Sequence, residues 1–174
     1  MKYIYLTLIG LIGACSSSSF QQEEKQIDLL ISQYDSLIQI TKDIDVSTAS
    51  PNLKRYREAL AYSQTKLSIE KKPSLRTMTY LNDMKLMKGQ FKNSPNKKKK
   101  LVTTLVRNQE QLNNLQNDSE NSVFDKEALN AIISREKQAA EAIAIEVSEF
   151  KIAYQSYESR FDSLYQLHKT FNYE

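Results

Sequence analysis

The lysine side chains between residues 85 and 100 form the densest group of charges in this chain of 174 residues. Primary ammonium groups attract anions, and several of them on one surface can hold the phosphate or carboxylate groups of a ligand. The sequence therefore predicts a candidate patch for an anionic ligand. Its members are Lys85, Lys88, Lys92, Lys97, Lys98, Lys99 and Lys100.

The only cysteine, Cys15, stands where a thiol can accept a lipid. Residues 1–2 give the chain a positively charged start, and residues 3–14 form a largely apolar run. This run is too short to span a bilayer as a helix, for which about 20 residues are needed. An aliphatic residue and two small residues, Ile12-Gly13-Ala14, directly precede the cysteine. The arrangement resembles the signal peptide and lipobox of bacterial lipoproteins.

This resemblance implies that residues 1–14 are cleaved and that Cys15 carries acyl chains, palmitate among them, as the new N-terminus. Residues 15–26 then form a polar tether, and residues 27–174 form the folded domain. The implied location is the cell envelope, with Ser16 favouring the outer over the inner membrane. The folded part is similar to small helical lipoproteins of unassigned function, a likeness of composition that transfers no site residue.

The low content of turn residues favours long helices. The chain has three Gly and three Pro, too few for a sandwich or barrel with a turn every 8–12 residues. Apolar side chains at steps of three and four instead predict an all-α fold, an elongated antiparallel bundle or coiled coil. The expected helices are 27–46, 52–72, 74–93, 95–117 and 125–172. The segment TMTY (77–80) alone would also suit a strand, but no strand partner lies nearby, so a helix is favoured.

The last helix has the clearest pattern, because its apolar positions alternate by four and three over about six heptads. Asp125 is expected to cap this helix, and Ser50 or Asn52 to cap the second one. Bulky aromatic residues in the last helix favour a bundle of three or four helices over a two-stranded coiled coil. The predicted row is Leu129, Ile133, Glu136, Ala140, Ile143, Val147, Phe150, Tyr154, Tyr157, Phe161, Leu164, His168 and Phe171.

The uneven distribution of charge permits two explanations of the lysine patch. Residues 15–51 carry two basic against six acidic side chains, residues 52–107 carry fifteen against three, and residues 108–174 carry six against twelve. The basic middle helices either pair with the acidic first and last helices or bind an external anion. Some compensation is expected, because Lys97–Lys100 would occupy the first turn of a helix beginning at Pro95, where the helix dipole disfavours cations.

Other polar and aromatic residues are better explained by packing than by catalysis. Glu136 lacks a second carboxylate, His168 lacks a second histidine, and Asn108 is expected to fix helix register. Met78, Met84 and Met87 are expected to fill gaps in the core rather than to form an adaptable binding face. The aromatic residues of 150–173 are expected in the core rather than in a platform for carbohydrate or peptide. We therefore expect a non-enzymatic protein with no cofactor, no metal and no nucleic-acid partner. It would be a lipid-anchored spacer, scaffold or partner-binding bundle, self-associating or bound to another protein. The alternative is a module that binds phospholipid headgroups, lipopolysaccharide or cell-wall polymer through residues 52–107.

Overall fold

Four helices, packed antiparallel, make up the part of the chain that the computed structural model describes, residues 20–69 and 75–170. They are α1 (Gln21–Asp43), α2 (Ala49–Ile69), α3 (Leu75–Glu120) and α4 (Lys126–Thr170). No strand occurs among these residues, and the predicted all-α fold with one long C-terminal helix is confirmed.

The N-terminal boundary of the fold differs from the predicted one. The polar tether was expected to extend to residue 26, but α1 already begins at Gln21. Glu23 is buried and lies seven residues before the buried Leu30, so the packed face of α1 continues through the polar segment. Glu23 and Glu24 also suit the first turn of a helix, where the dipole favours negative charge.

The expected break at Pro95 is wrong, because α3 continues through this residue. A proline inside a helix removes one backbone hydrogen bond and crowds the preceding turn. Packing outweighs that cost here, since the buried row passes the proline without a change of phase. This row comprises Tyr80, Met84, Met87, Phe91, Ser94, Leu101, Leu105, Leu112 and Leu115.

The helix ends show which predicted caps are used. The Asp125 side chain accepts a hydrogen bond from the Ala128 backbone N–H at 2.8 Å, which confirms the cap of α4. Neither Ser50 nor Asn52 caps α2, because both lie inside that helix, and the Asn52 N–H bonds the carbonyl of Thr48. Asn52, Tyr56 and Ala59 are buried in α2, whereas Leu53 and Leu60 are half-buried.

The chain forms two compact units, each with its own core. Unit 1 comprises Met1–Ser36 and Leu105–Ile143, and unit 2 comprises Leu37–Thr104 and Ala144–Glu174. In unit 1, parts of α1, α3 and α4 bury Ile27, Leu30, Tyr34, Leu105, Leu112, Leu129 and Ile133. In unit 2, the end of α1 joins α2, α3 and α4 around Ile38, Tyr56, Met84, Met87, Phe91, Val147, Tyr154 and Phe161.

The heptad row predicted for α4 faces these cores. Its members are buried from Leu129 to Leu164, except that Glu136 and Tyr157 are half-buried. Phe91 of α3 meets Tyr154 and Phe161 edge to face, with ring centroids 6.2 and 5.2 Å apart. Phe150, Tyr154 and Phe161 are therefore core residues, as predicted, whereas Tyr157 and Tyr165 are half-buried. Phe171 and Tyr173 lie outside the described residues.

Candidate functional site

The two compact units carry opposite net charges. Unit 1 has 6 Lys and Arg against 11 Asp and Glu, a net charge of −5. Unit 2 has 18 against 10, a net charge of +8, and it contains all seven lysines of the predicted patch. Unit 2 is therefore where an anionic ligand would be attracted.

Lys98 differs from the other six lysines of the patch because it serves the fold. Its Nζ donates hydrogen bonds to the carbonyl oxygens of Lys42 at 2.6 Å and Ile44 at 2.7 Å. These carbonyls lie at the C-terminal end of α1, where the helix dipole favours a cation. Lys98 is half-buried there and is committed to closing this helix end.

The expected penalty from a helix N-terminus at these lysines does not arise. Because α3 begins at Leu75, Lys97–Lys100 lie more than twenty residues inside the helix, away from the positive end of its dipole. These lysines therefore need no negative partner to offset an unfavourable helix dipole.

Two lysines of the patch lie over aromatic rings. The Nζ of Lys88 is 5.6 Å from the ring centroid of Tyr56, and the Nζ of Lys97 is 5.5 Å from that of Phe150. Such cation–π contacts at exposed sites are worth about 0.5–1 kcal/mol and leave the ammonium group open to solvent. Both lysines remain exposed and can still face a ligand.

Lys85, Lys92, Lys99 and Lys100 are exposed, and their ammonium groups form no ion pair or hydrogen bond within the described ranges. Lys85, Lys92 and Lys99 are seven residues apart, so they share one side of α3. We call these four residues the lysine row. The first explanation of the lysine patch is pairing with the acidic helices. Within the described residues, the lysine row takes no part in such pairing.

Two ion pairs in the described part of unit 2 involve arginines. Arg55 of α2 donates to Asp162 of α4 at 2.8 Å, and Arg160 of α4 donates to Asp83 of α3 at the same distance. The Arg55 guanidinium also lies 4.1 Å from the ring centroid of Tyr165 and 5.1 Å from that of Phe161. These contacts hold α2 and α3 against α4.

A polar cluster that the sequence did not reveal lies where the loop before α2 meets α4. The Thr48 hydroxyl is 2.8 Å from the Tyr154 hydroxyl and donates to the Glu158 carboxylate. Burial raises the pKa of Tyr154, and the hydrogen bond with Thr48 opposes this rise. The residues are more than 100 positions apart in sequence, and no local pattern could have brought them together.

The remaining polar candidates take structural positions. Asn108 donates to the Tyr34 hydroxyl at 3.3 Å, and burial raises the pKa of Tyr34. Glu136 lies half-buried on α4 near Tyr34. His168 belongs to α4, but its side chain lies outside the described residues, as do Cys15 and the predicted signal peptide, 1–14.

The methionines fall into two environments. Met84 and Met87 are buried in the core of unit 2, as predicted. Met78 is half exposed on the same side of α3 as the lysine row, which contradicts its expected place in the core. Residues three or four apart share one face of a helix, whereas Met78 lies two positions before the buried Tyr80. Met78 therefore points away from the core.

Two grooves in the described residues are lined by a mixture of apolar, polar and charged side chains. One in unit 1, about 210 Å³, lies between α1 and α4 and is lined by Leu29, Leu30 and Ile133. One in unit 2, about 420 Å³, is lined by Leu75, Leu164 and Leu167. No group of three or more His, Cys, Asp or Glu suited to a metal occurs in the described ranges.

Across residues 20–69 and 75–170, none of the helices combines the length and the apolarity needed to cross a bilayer. No protein-family model, no curated protein and no solved structure matches this chain.

Proposed function

We propose that this chain is a non-enzymatic, lipid-anchored module of a bacterial envelope whose lysine row binds anionic envelope material. The observation that carries the proposal is the exposure of Lys85, Lys92, Lys99 and Lys100 without a carboxylate partner among the described residues. A phosphate- or carboxylate-bearing polymer or headgroup supplies the missing negative charge. Each lysine close to an anionic surface contributes about 1 kcal/mol, and salt weakens the attraction.

The lipid anchor in this proposal rests on the resemblance of residues 12–15 to a lipobox. Acylation at Cys15 would keep the domain at a membrane, where anionic polymers and headgroups are concentrated. Intact-mass spectrometry of the protein purified from bacterial membranes tests this part. A mature chain that begins at an acylated Cys15 supports it, whereas an unmodified thiol behind residues 1–14 would refute it.

The lysine row is tested with two variants of equal charge, both in the full chain with Cys15→Ser, which cannot be acylated. One replaces Lys85, Lys92, Lys99 and Lys100 by Gln. The control replaces four lysines outside the lysine row by Gln, namely Lys25, Lys42, Lys137 and Lys151, all exposed. Because both variants lose four positive charges, a difference between them reports the position of the charges.

Binding to soluble polyphosphate and to vesicles of phosphatidylglycerol is then measured across a range of salt concentrations. We expect the lysine-row variant to lose about tenfold or more in affinity for either probe, with a weaker salt dependence. The control should lose much less. Equal binding by the two variants would show that only net charge matters and would overturn the proposed site.

A second function, a partner-binding scaffold, is favoured by two exposed isoleucines of α4. Ile145 is 60% exposed and Ile152 is 64% exposed, and their spacing of seven places them on one side of the helix. Such a row suits a facing apolar helix. Co-purification of a partner from membranes by the intact protein, lost on replacing both isoleucines by Gln, would support this function.

A further inference from the structure

Apolar side chains accompany the lysine row along the exposed side of α3. Leu75 is 82% exposed, Leu86 is 68% exposed and Met78 is 50% exposed. All three belong to unit 2, as does the whole lysine row. Exposed leucines in a group are unusual on a surface that contacts only water, and they indicate a contact with apolar material.

The spacing of these residues interleaves the two kinds of side chain. Met78, Lys85, Lys92 and Lys99 follow one another at intervals of seven, so they form one row along the helix. Leu86 and Lys100, fourteen residues apart, lie in a neighbouring row, and Leu75 lies between the two. We call these seven residues the α3 outer face.

A soluble polyanion uses only the lysines of such a face, but a bilayer uses both kinds of side chain. Ammonium groups at the ends of flexible stems reach the anionic headgroups, while leucine and methionine enter the boundary with the acyl chains. Amphipathic helices with a basic polar side lie on membranes in this way. The α3 outer face has the chemistry of that type of surface.

We infer that the α3 outer face lies against a membrane that contains anionic lipids, with Met78 and Leu86 entering the interface. The inference rests on the proposed function, since it names a lipid surface as the anionic material that the lysine row binds. The inference also assigns a role to the apolar residues of this face, which a soluble phosphate polymer would not contact. Together with an N-terminal lipid, this face would give the protein a second attachment to the membrane.

The test compares two double variants in the full chain with Cys15→Ser. Met78→Gln with Leu86→Gln removes two apolar side chains from the α3 outer face. Ile145→Gln with Ile152→Gln removes two apolar side chains of similar exposure from α4 and serves as the control. Sedimentation with vesicles of phosphatidylglycerol and phosphatidylcholine in equal parts measures membrane binding, and soluble polyphosphate measures anion binding alone.

We expect the Met78/Leu86 variant to bind the vesicles about tenfold more weakly, a change of about 1.4 kcal/mol. Its affinity for polyphosphate should equal that of the parent, and the Ile145/Ile152 variant should keep both affinities. Circular dichroism of both variants confirms that the helices are intact.

Two results would overturn the inference. In the first, the Met78/Leu86 variant binds vesicles as well as the parent does, while the lysine-row variant loses affinity for polyphosphate. This result would refute the membrane contact but would still agree with the proposed function. Equal loss of vesicle binding by the Met78/Leu86 and Ile145/Ile152 variants would show a general effect of exposed apolar area. Failure of the proposed function is distinguishable from both, because the lysine-row variant would then match its charge control on either probe.

Discussion

The Nζ of Lys98 lies 2.7 Å from the carbonyl oxygen of Ile44, a residue 54 positions earlier in the chain. The same Nζ bonds the carbonyl of Lys42, so one ammonium group satisfies two acceptors where α1 ends. Replacing Lys98 by Met should lower the free energy of unfolding by about 1–2 kcal/mol, because charge-assisted hydrogen bonds and a favourable dipole contact are lost.

Urea denaturation followed by circular dichroism measures this loss. Lys99→Met is the matched control, because Lys99 is the exposed neighbour on the same helix and should change stability by less than about 0.5 kcal/mol. Equal urea midpoints for the two variants would contradict the structural role of Lys98. Lys98 would then again be a candidate ligand-binding residue of the lysine patch.

Arg55 contacts α4 both through an ion pair and through aromatic rings, and the rings should matter more. Its partner Asp162 is exposed, and exposed ion pairs contribute only about 0–1 kcal/mol. The Tyr165 and Phe161 rings, 4.1 and 5.1 Å away, are still present when the carboxylate is removed. We expect Asp162→Asn to be nearly neutral and Arg55→Ala to cost about 1–2 kcal/mol. Thermal or urea unfolding measures the loss of stability in each variant. A larger loss of stability in Asp162→Asn than in Arg55→Ala would contradict this prediction.

Pro95 offers a direct test of the continuous helix α3. A proline inside a helix is about 3 kcal/mol less favourable than alanine, whereas a proline in the first turn carries little cost. Because Pro95 lies inside α3, Pro95→Ala should raise the free energy of unfolding by about 1–3 kcal/mol. A neutral or destabilising result in urea denaturation would instead support a new helix that begins at this residue.

The turn between α3 and α4 contains a strained serine. Ser122 has φ 54°, a left-handed conformation that glycine adopts more readily. The Ser122 N–H bonds the Ser119 carbonyl, and the Val123 N–H bonds the Asp118 carbonyl, which is the hydrogen-bond pattern of a Schellman helix end. Ser122→Gly should therefore stabilise the protein by about 0.5–1 kcal/mol, measured as a shift in the urea midpoint. Ser122→Val should destabilise it, and the reverse order would contradict the assigned helix end.

The regular elements could be predicted where apolar spacing alone determines them. The row from Leu129 to Leu164 repeats by four and three without interruption, and α4 follows it through both cores. The row from Tyr80 to Leu115 obeys the same rule. The sequence predicts two helices here because the local preference of Pro95 argues for a break, whereas the unbroken phase on either side of it argues for one helix.

Contacts between distant residues could not be predicted in this way. Lys98 looks like its three neighbours in sequence, and only the approach of the α1 end distinguishes it. Met78 is exposed and Met84 is buried because they lie on different sides of α3. Their shared residue type does not distinguish them. The lysine patch could thus be located from sequence, but its division into a structural residue and an exposed row required the packed helices.

Glu23 shows how a charged residue near the start of α1 is accommodated in a buried position. The residue is 2% exposed, and its carboxylate accepts a hydrogen bond from Asn130 at 3.2 Å and lies 3.4 Å from the Nζ of Lys126. Its own backbone N–H lowers the pKa of Glu23 most strongly. Asn130 and Lys126 lower this pKa further, and burial acts in the opposite direction. The net effect places the pKa below the ordinary 4.5.

A carboxyl group whose pKa is lower in the folded than in the unfolded state stabilises the fold above its unfolded pKa. That contribution is lost as the pH falls from about 4.5 through the folded pKa. The unfolding free energy of Glu23→Gln should therefore fall less than that of the parent between neutral pH and this acidic range. Glu24→Gln makes the same charge change one residue away and serves as the matched control for net charge. Urea midpoints across the pH range measure the slopes, and a Glu23→Gln slope as steep as the parent's would show that this carboxylate is not held by the contacts around it.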